Sequence, residues 1–294
     1  MEFICNICPR KCGAVRTDNE GAGYCKAEAL PRLARAGLHM WEEPCISGKN
    51  GSGTVFFSGC NLRCAYCQNY EISAKNFGKT VSVSRLQDIF KELIDKGAHN
   101  INLVSPSHYA HVIIKALEKP LPVPVVWNTG GYDSVKTLKA LEGKVQIYLT
   151  DLKYLDSAIA EKYSAAKDYP EVARRALGEM FRQRGKYILD SDGMMKSGVI
   201  VRHLVLPENI KNTKLVINYI DRHFSQGDIL FSLMSQYTPA GDISTFPELG
   251  RRIRKSEYES VCRILEKSSI TEGFFQELSS AKEEYIPDFD LTGV

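Results

Sequence analysis

Cys60, Cys64 and Cys67 stand three and two residues apart in Phe57-Ser58-Gly59-Cys60-Asn61-Leu62-Arg63-Cys64-Ala65-Tyr66-Cys67-Gln68-Asn69, directly behind an apolar run. Three thiolates so close can converge on one face of a small loop, and soft sulfur selects zinc, copper(I) or an iron-sulfur cluster. A cubane cluster normally takes four cysteines, so a triplet leaves one iron open to another ligand. The β-branched and aromatic residues Thr54 to Ser58 read as a strand that delivers Cys60 to its C-terminal end, where active sites of parallel-strand barrels lie. Three reduced structural cysteines or a zinc site are the bland alternatives.

Behind the triplet, strands and helices alternate. Ser84 reads as an N-cap with Gln87 completing a capping box, and Leu86, Ile89, Phe90, Leu93 and Ile94 recur at helical spacing up to Gly97. Strands follow at Ile101 to Val104, Val123 to Asn128, Val145 to Leu149, Val199 to Leu206 and Ile229 to Met234. Helices fall at Tyr109 to Leu117, about Ser134 to Leu141, two between residues 157 and 185, and Lys214 to Phe224. A further helix spans Ser256 to Glu266, with Cys262 on its apolar face. This order predicts a parallel sheet wrapped by helices, with six βα-like units, too few for a closed eight-stranded barrel. Gly48 to Thr54 has no lysine between its last glycine and the threonine, so it is a turn into a strand rather than a phosphate loop.

The first fifty residues are rich in cysteine and poor in periodic pattern. Cys5, Cys8, Cys12 and Cys25 are four thiols that could close one site, as a second iron-sulfur cluster or a zinc; the spacing lacks the paired C-x2-C of common four-cysteine zinc sites. So short a segment has little core of its own and would gain folding energy from a metal. The division expected is a cysteine-rich extension over residues 1–50, a barrel over 51–240 and a helical extension over 241–294.

Composition narrows the setting. With 44% apolar and 25% charged residues in 294, the chain can bury a large core. Thirty-eight basic against 35 acidic residues leave +3, and the one basic run, Arg251 to Lys255, is a solvated loop or helix start, so no nucleic-acid partner is implied. The start carries no signal-like pattern and no run approaches a membrane span, so a cytoplasmic protein without membrane contact is expected. Nine cysteines, an odd number clustered at the front, suit metal ligation in a reducing compartment better than a disulfide framework.

The C-x3-C-x2-C triplet, with Tyr66 as the aromatic residue before the third cysteine, strongly resembles the signature of the radical S-adenosylmethionine (radical SAM) superfamily. The resemblance implies a partial (β/α)6 barrel of the TIM type and a 4Fe-4S cluster on Cys60, Cys64 and Cys67. It also implies SAM chelated to the open iron and cleaved by one electron to a 5′-deoxyadenosyl radical. Within the superfamily the chain is most similar to pyruvate formate-lyase activating enzyme and its homologues over about residues 54–237, in a branch with additional N-terminal cysteines. Asn128-Thr129-Gly130 resembles that family's Asp-Thr-Asn-Gly, Asp151-Leu152-Lys153 matches its Asp-Leu-Lys, and Arg202 corresponds to an arginine on its fifth strand.

Polar residues at strand ends should converge on one cavity. Tyr66, Ser105, Ser107, Asn128, Thr129, Asp151, Lys153, Arg202 and His203 are therefore the expected SAM-site residues, although each has an ordinary structural alternative. The Gly-Gly-Glu segment that meets the SAM amino group in the activating enzymes is absent, and Val104-Ser105-Pro106-Ser107-His108 stands in its place. The leading expectation is a radical SAM oxidoreductase abstracting hydrogen from a protein or small molecule. A glycyl-radical enzyme would be one such protein substrate, with an electron donor such as flavodoxin or ferredoxin. A non-enzymatic iron-sulfur electron carrier and a zinc-stabilised interaction protein are the alternatives.

Overall fold

The computed structural model describes residues 2–19, 21–276 and 287–294. Its strands arise where short β-branched, aromatic and aliphatic runs lie between polar turns, and each of the six expected strands is present. In chain order the main elements are β1 (Arg32–His39), β2 (Ser52–Phe57), α1 (Val83–Asp95), β3 (Ile101–Val104), α2 (Ala110–Ala116), β4 (Val125–Thr129), α3 (Val135–Ala140) and β5 (Ile147–Asp151). They continue with α4 (Ser157–Ser164), α5 (Tyr169–Arg184), β6 (Met195–Leu204), α6 (Ile210–His223), β7 (Leu230–Met234), α7 (Lys255–Leu265) and β8 (Gly273–Phe275).

Strands β2 to β8 lie side by side in chain order and all run parallel. β1 adds antiparallel to β2, and Lys79–Thr80 continues the sheet beyond it. Two of these strands escape the periodic pattern. β1 carries Arg32, Arg35 and Gly37 and so lacks clean alternation, and β8 is only three residues long.

The pairing of β1 with β2 revises the expected boundary near residue 50, which falls between two neighbouring strands of one sheet. The C-terminal tail is likewise tied to β1, since Ala36 N donates to the Thr292 carbonyl and Leu291 N to that of Ala34. Helix α1 begins two residues earlier than its pattern suggests. Its cap is Ser82, whose hydroxyl accepts from Arg85 N at 3.0 Å, rather than Ser84. Cys262 on α7 is half-buried rather than fully packed, while Val261 beside it is the buried residue.

Alternation within each strand sorts the core into two layers. Val55, Phe57, Leu103, Trp127, Tyr148, Val201 and Phe231 face the helices. Val126, Ile147, Leu149, Ile200 and Leu230 face inward, near the N-terminal ends of their strands. There they meet Cys45 and Ile46 of a short helix, Pro44–Ser47, which closes the bottom of the half-barrel. The opposite, C-terminal end stays open.

Candidate active site

The cysteine loop leaves β2 through Gly59, whose φ of +79° and close approach to the Cys25 carbonyl leave no room for a side chain: a Cβ would stand 2.4 Å from that oxygen. The N-terminal segment then clamps the loop. Arg10 Nε donates to the Asn61 carbonyl at 2.8 Å and the Tyr24 hydroxyl to that of Leu62 at 3.1 Å. Arg63 returns a bond to the Tyr24 carbonyl, and the Arg10 guanidinium lies 4.0 Å over the Tyr24 ring. Cys60, Cys64 and Cys67 thereby line one side of a cavity of about 720 Å³ at the open end of the half-barrel.

Burial pushes the Cys60 thiol up to about 12 and raises Cys67, with mutual repulsion from Cys64 adding to both. Thiols in this state ligate only when a cation offsets the charge. Three soft donors spread along a cavity wall, with no fourth cysteine lining it, fit a cubane cluster with one open iron. Among the described residues no three His, Cys, Asp or Glu side chains are arranged to hold a single metal ion. Behind Cys64 runs a chain of hydroxyls. Ser164 donates to Cys64 Sγ at 3.0 Å, lies 2.9 Å from the Tyr154 hydroxyl, and Tyr154 lies 2.7 Å from that of Tyr66. Hydrogen bonds to a ligating sulfur tune the potential of the cluster it holds.

The same cavity is lined by a charge network centred on Arg202. Its Nε donates to Asp151 Oδ1 at 2.8 Å, Nη1 to Glu42 Oε2 at 3.1 Å and Nη2 to Asn128 Oδ1 at 2.7 Å. Lys153 Nζ donates to the other Asp151 oxygen at 2.6 Å. Glu42 Oε1 also accepts from Asn102 and Asn128. Burial alone would raise Asp151, but Arg202 and Lys153 together hold its carboxyl below the usual range. Burial would likewise lower Lys153, and Asp151 keeps it well above its ordinary value.

The structure thus brings Tyr66, Ser105, Asn128, Thr129, Asp151, Lys153 and Arg202 to the wall shared with the three cysteines. Ser105 sits at a φ of +57°, which turns the chain out of β3. Ser107 and His203 are not on that wall. Ser107 is buried 3.2 Å from Thr129 Oγ1, which itself donates to Asp133.

His203 faces the helices because it follows Arg202, and neighbours on a strand point to opposite faces. Its Nδ1 donates to the Leu152 carbonyl at 2.7 Å, and Nε2 lies 3.0 Å from Thr213 Oγ1. Burial lowers its pKa to about 4, against roughly 6.5 in an unfolded chain. The unfolded state therefore takes up the proton first, so this stability is complete above about pH 6.5 and is lost as pH falls toward the folded value. At pH 5 the loss is about 2 kcal/mol. His203→Gln is expected to flatten the fall in Tm between pH 7.5 and 5; an unchanged slope would count against a neutral buried His203.

Cys5, Cys8, Cys12 and Cys25 are also gathered together: burial raises the Cys8 thiol to about 11, against a lowering backbone hydrogen bond at Arg10 and with smaller additions from the other three thiols. Cys12 alone is exposed, and Arg16 Nη2 donates to Cys25 Sγ at 3.5 Å. The sequence reading missed Glu42, Glu43, Asn102 and Ser232. Asn102 sits in an otherwise apolar strand, and that was a visible signal. The two glutamates reach the site only because the short helix after them turns into the half-barrel.

A half-barrel of parallel strands with three cysteines at the mouth of a polar cavity defines a class of cofactor-dependent α/β enzymes. The model of the radical SAM superfamily matches residues 54–212, more than half of the chain, and the chain belongs to that superfamily. Enzymes of this family use a 4Fe-4S cluster and S-adenosylmethionine. The chain is 28% identical over 277 residues to the uncharacterized protein MJ0674 of Methanocaldococcus jannaschii, covering 90% of this chain and 75% of that one. Among solved structures it is similar to methylornithine synthase, with 17% identity, TM-score 0.42, and 70% of this chain and 59% of that one covered. It is similar also to Streptococcus suis SuiB bound to S-adenosylmethionine, with 12% identity, TM-score 0.45, and 76% and 50% covered. The chain thus spans about half to three-fifths of those solved proteins. No helix among the described residues is long and apolar enough to cross a membrane.

Proposed function

We propose that this protein is a radical SAM enzyme that abstracts hydrogen from a substrate held in the half-barrel, with Cys60, Cys64 and Cys67 as the ligands of its catalytic cluster. The observation that carries this reading is that the three thiols and the Arg202 network line one cavity. When bound, the cluster supplies the electron that converts S-adenosylmethionine to methionine and a 5′-deoxyadenosyl radical.

The chain's own residues bind and orient. Lys153, held by Asp151, presents an ammonium suited to a carboxylate, and Asn128 offers an amide suited to ribose hydroxyls. Phe56, Leu62, Ile72 and Phe274 make the apolar part of the wall, which limits water around the reacting groups. The hydrogen donor is a small molecule or a protein segment. A glycine of a glycyl-radical enzyme is the protein form suggested by the resemblance to activating enzymes. Cys5, Cys8, Cys12 and Cys25 are proposed to hold a second cluster or a zinc; a zinc would require their side chains to turn toward one point, since no three of the described ones are set to hold a single ion.

An electron carrier needs no cavity of this size, so the enzyme reading is favoured over it. Anaerobically reconstituted, dithionite-reduced protein is expected to release 5′-deoxyadenosine from S-adenosylmethionine, measured by chromatography. A reversible redox signal with no S-adenosylmethionine binding would instead support the carrier.

A further inference from the structure

Glu43 is the charged group of the cavity that the network leaves over. It lines the cavity and is 8% exposed, yet its Oε2 has no hydrogen-bond partner among the described residues. Burial raises its carboxyl, an effect that Arg202 only partly offsets and Glu42 adds to, and Arg202 spends Nε, Nη1 and Nη2 on Asp151, Glu42 and Asn128. Lys153 pairs with Asp151, not with Glu43. Glu42, Glu43 and Asp151 are thus three carboxylates on a wall that also carries Lys153 and Arg202. His39, also on the wall, is lowered by burial and by Arg35, so it is neutral near pH 7 and adds no compensating charge.

Burying a carboxylate oxygen without a partner is costly, and a fold that retains one gains most when a ligand supplies the missing donor. The position of Glu43 separates it from the thiols. It immediately precedes Pro44–Ser47, whose Cys45 and Ile46 close the N-terminal end of the strands, whereas the cysteine loop follows the C-terminal end of β2. Glu43 therefore belongs to the floor and the cluster ligands to the mouth.

The geometry points to this floor as a subsite for an organic cation, a substrate group bearing a primary ammonium or guanidinium whose N–H donates to Glu43. The inference rests on the preceding reading in that S-adenosylmethionine occupies the mouth and the substrate the floor. A bound N–H cation completes the Oε2 hydrogen bond and favours the ionised form of Glu43, which burial alone disfavours. A neutral isostere supplies only the hydrogen bond, and an anion is repelled.

The test uses agmatine, N-acetylarginine amide and N-acetylcitrulline amide, the last a neutral isostere of the second, titrated calorimetrically into the reconstituted full-length protein with and without S-adenosylmethionine. At least one of the two guanidinium probes is expected to bind ten times or more tighter than the citrulline probe, with that advantage lost in Glu43→Gln. Binding of agmatine alone identifies a free amine or guanidine as the source. Binding of N-acetylarginine amide as well identifies a peptide side chain. Equal affinity of charged and neutral probes, no binding of any probe, or an advantage that survives in Glu43→Gln overturns the inference. The wild-type comparison stands even if the variant fails to fold. Release of 5′-deoxyadenosine by wild type, scored in the same preparation, separates failure of this subsite from failure of the radical SAM reading.

Discussion

Cys64→Ala is expected to give a folded protein that releases no detectable 5′-deoxyadenosine. The side chain is 6% exposed and the substitution removes one sulfur atom, so the packing cost is about 1 kcal/mol. Ser164, which donates to that sulfur, keeps the Tyr154 hydroxyl 2.9 Å away and is not orphaned. Loss of one of three ligands leaves two iron vertices without protein sulfur, a larger defect than removal of an outer hydrogen-bond partner, which already costs roughly 10–100-fold in metal affinity or activity. An anaerobic iron and sulfide count reports on both groups of cysteines. If Cys5, Cys8, Cys12 and Cys25 hold a second cubane, iron should fall from about eight to about four per chain; if they hold zinc, it should fall from about four to near zero. Turnover unchanged in Cys64→Ala would contradict the assignment of the triplet.

What the sequence showed and what it hid follow from how locally each feature is encoded. The strands of the half-barrel are apolar runs, because parallel strands buried on both faces need such runs, and all six are where the residues put them. The cysteine triplet is a local signal too. His203 was misplaced although the information was at hand, since Arg202 and His203 are adjacent on one strand and cannot both face inward. β1 was hidden because its pairing with β2 and with the C-terminal tail, not its own pattern, makes it a strand. Glu42 and Glu43 were hidden more deeply. Their role depends on Cys45 and Ile46 finding an apolar surface made by β4, β5, β6 and β7, a contact that no window of sequence contains.

Arg202→Met should be the most destabilising single change among the cavity residues. Methionine replaces the length of the side chain and its apolar stem, so what is lost is the guanidinium and its bonds to Asp151, Glu42 and Asn128. Removing one partner from a buried ion network costs about 3–5 kcal/mol, because the remaining charges stay buried without compensation. For a chain of this length that is a fall in Tm on the order of 10 °C. The pH dependence identifies the cause. In the wild type Asp151 is held below its unfolded value of about 3.9, so its contribution is fully present above that pH and disappears only as pH falls through the lower folded value. In the variant Asp151 keeps Lys153 alone against the effect of burial and its folded value rises, and Glu43, already raised by burial in the wild type, loses the lowering effect of Arg202 and rises further. The native state then gains protons, and with them stability, as pH drops. The Tm deficit should accordingly be largest near pH 8 and narrow toward pH 5, the histidine contribution cancelling because both proteins carry His203. Arg202→Lys, which keeps the charge but not the fork of donors, should fall between the two. A deficit independent of pH would indicate lost packing rather than an unbalanced set of carboxylates, and equal melting of Arg202→Met and wild type would remove Arg202 from the centre of the site.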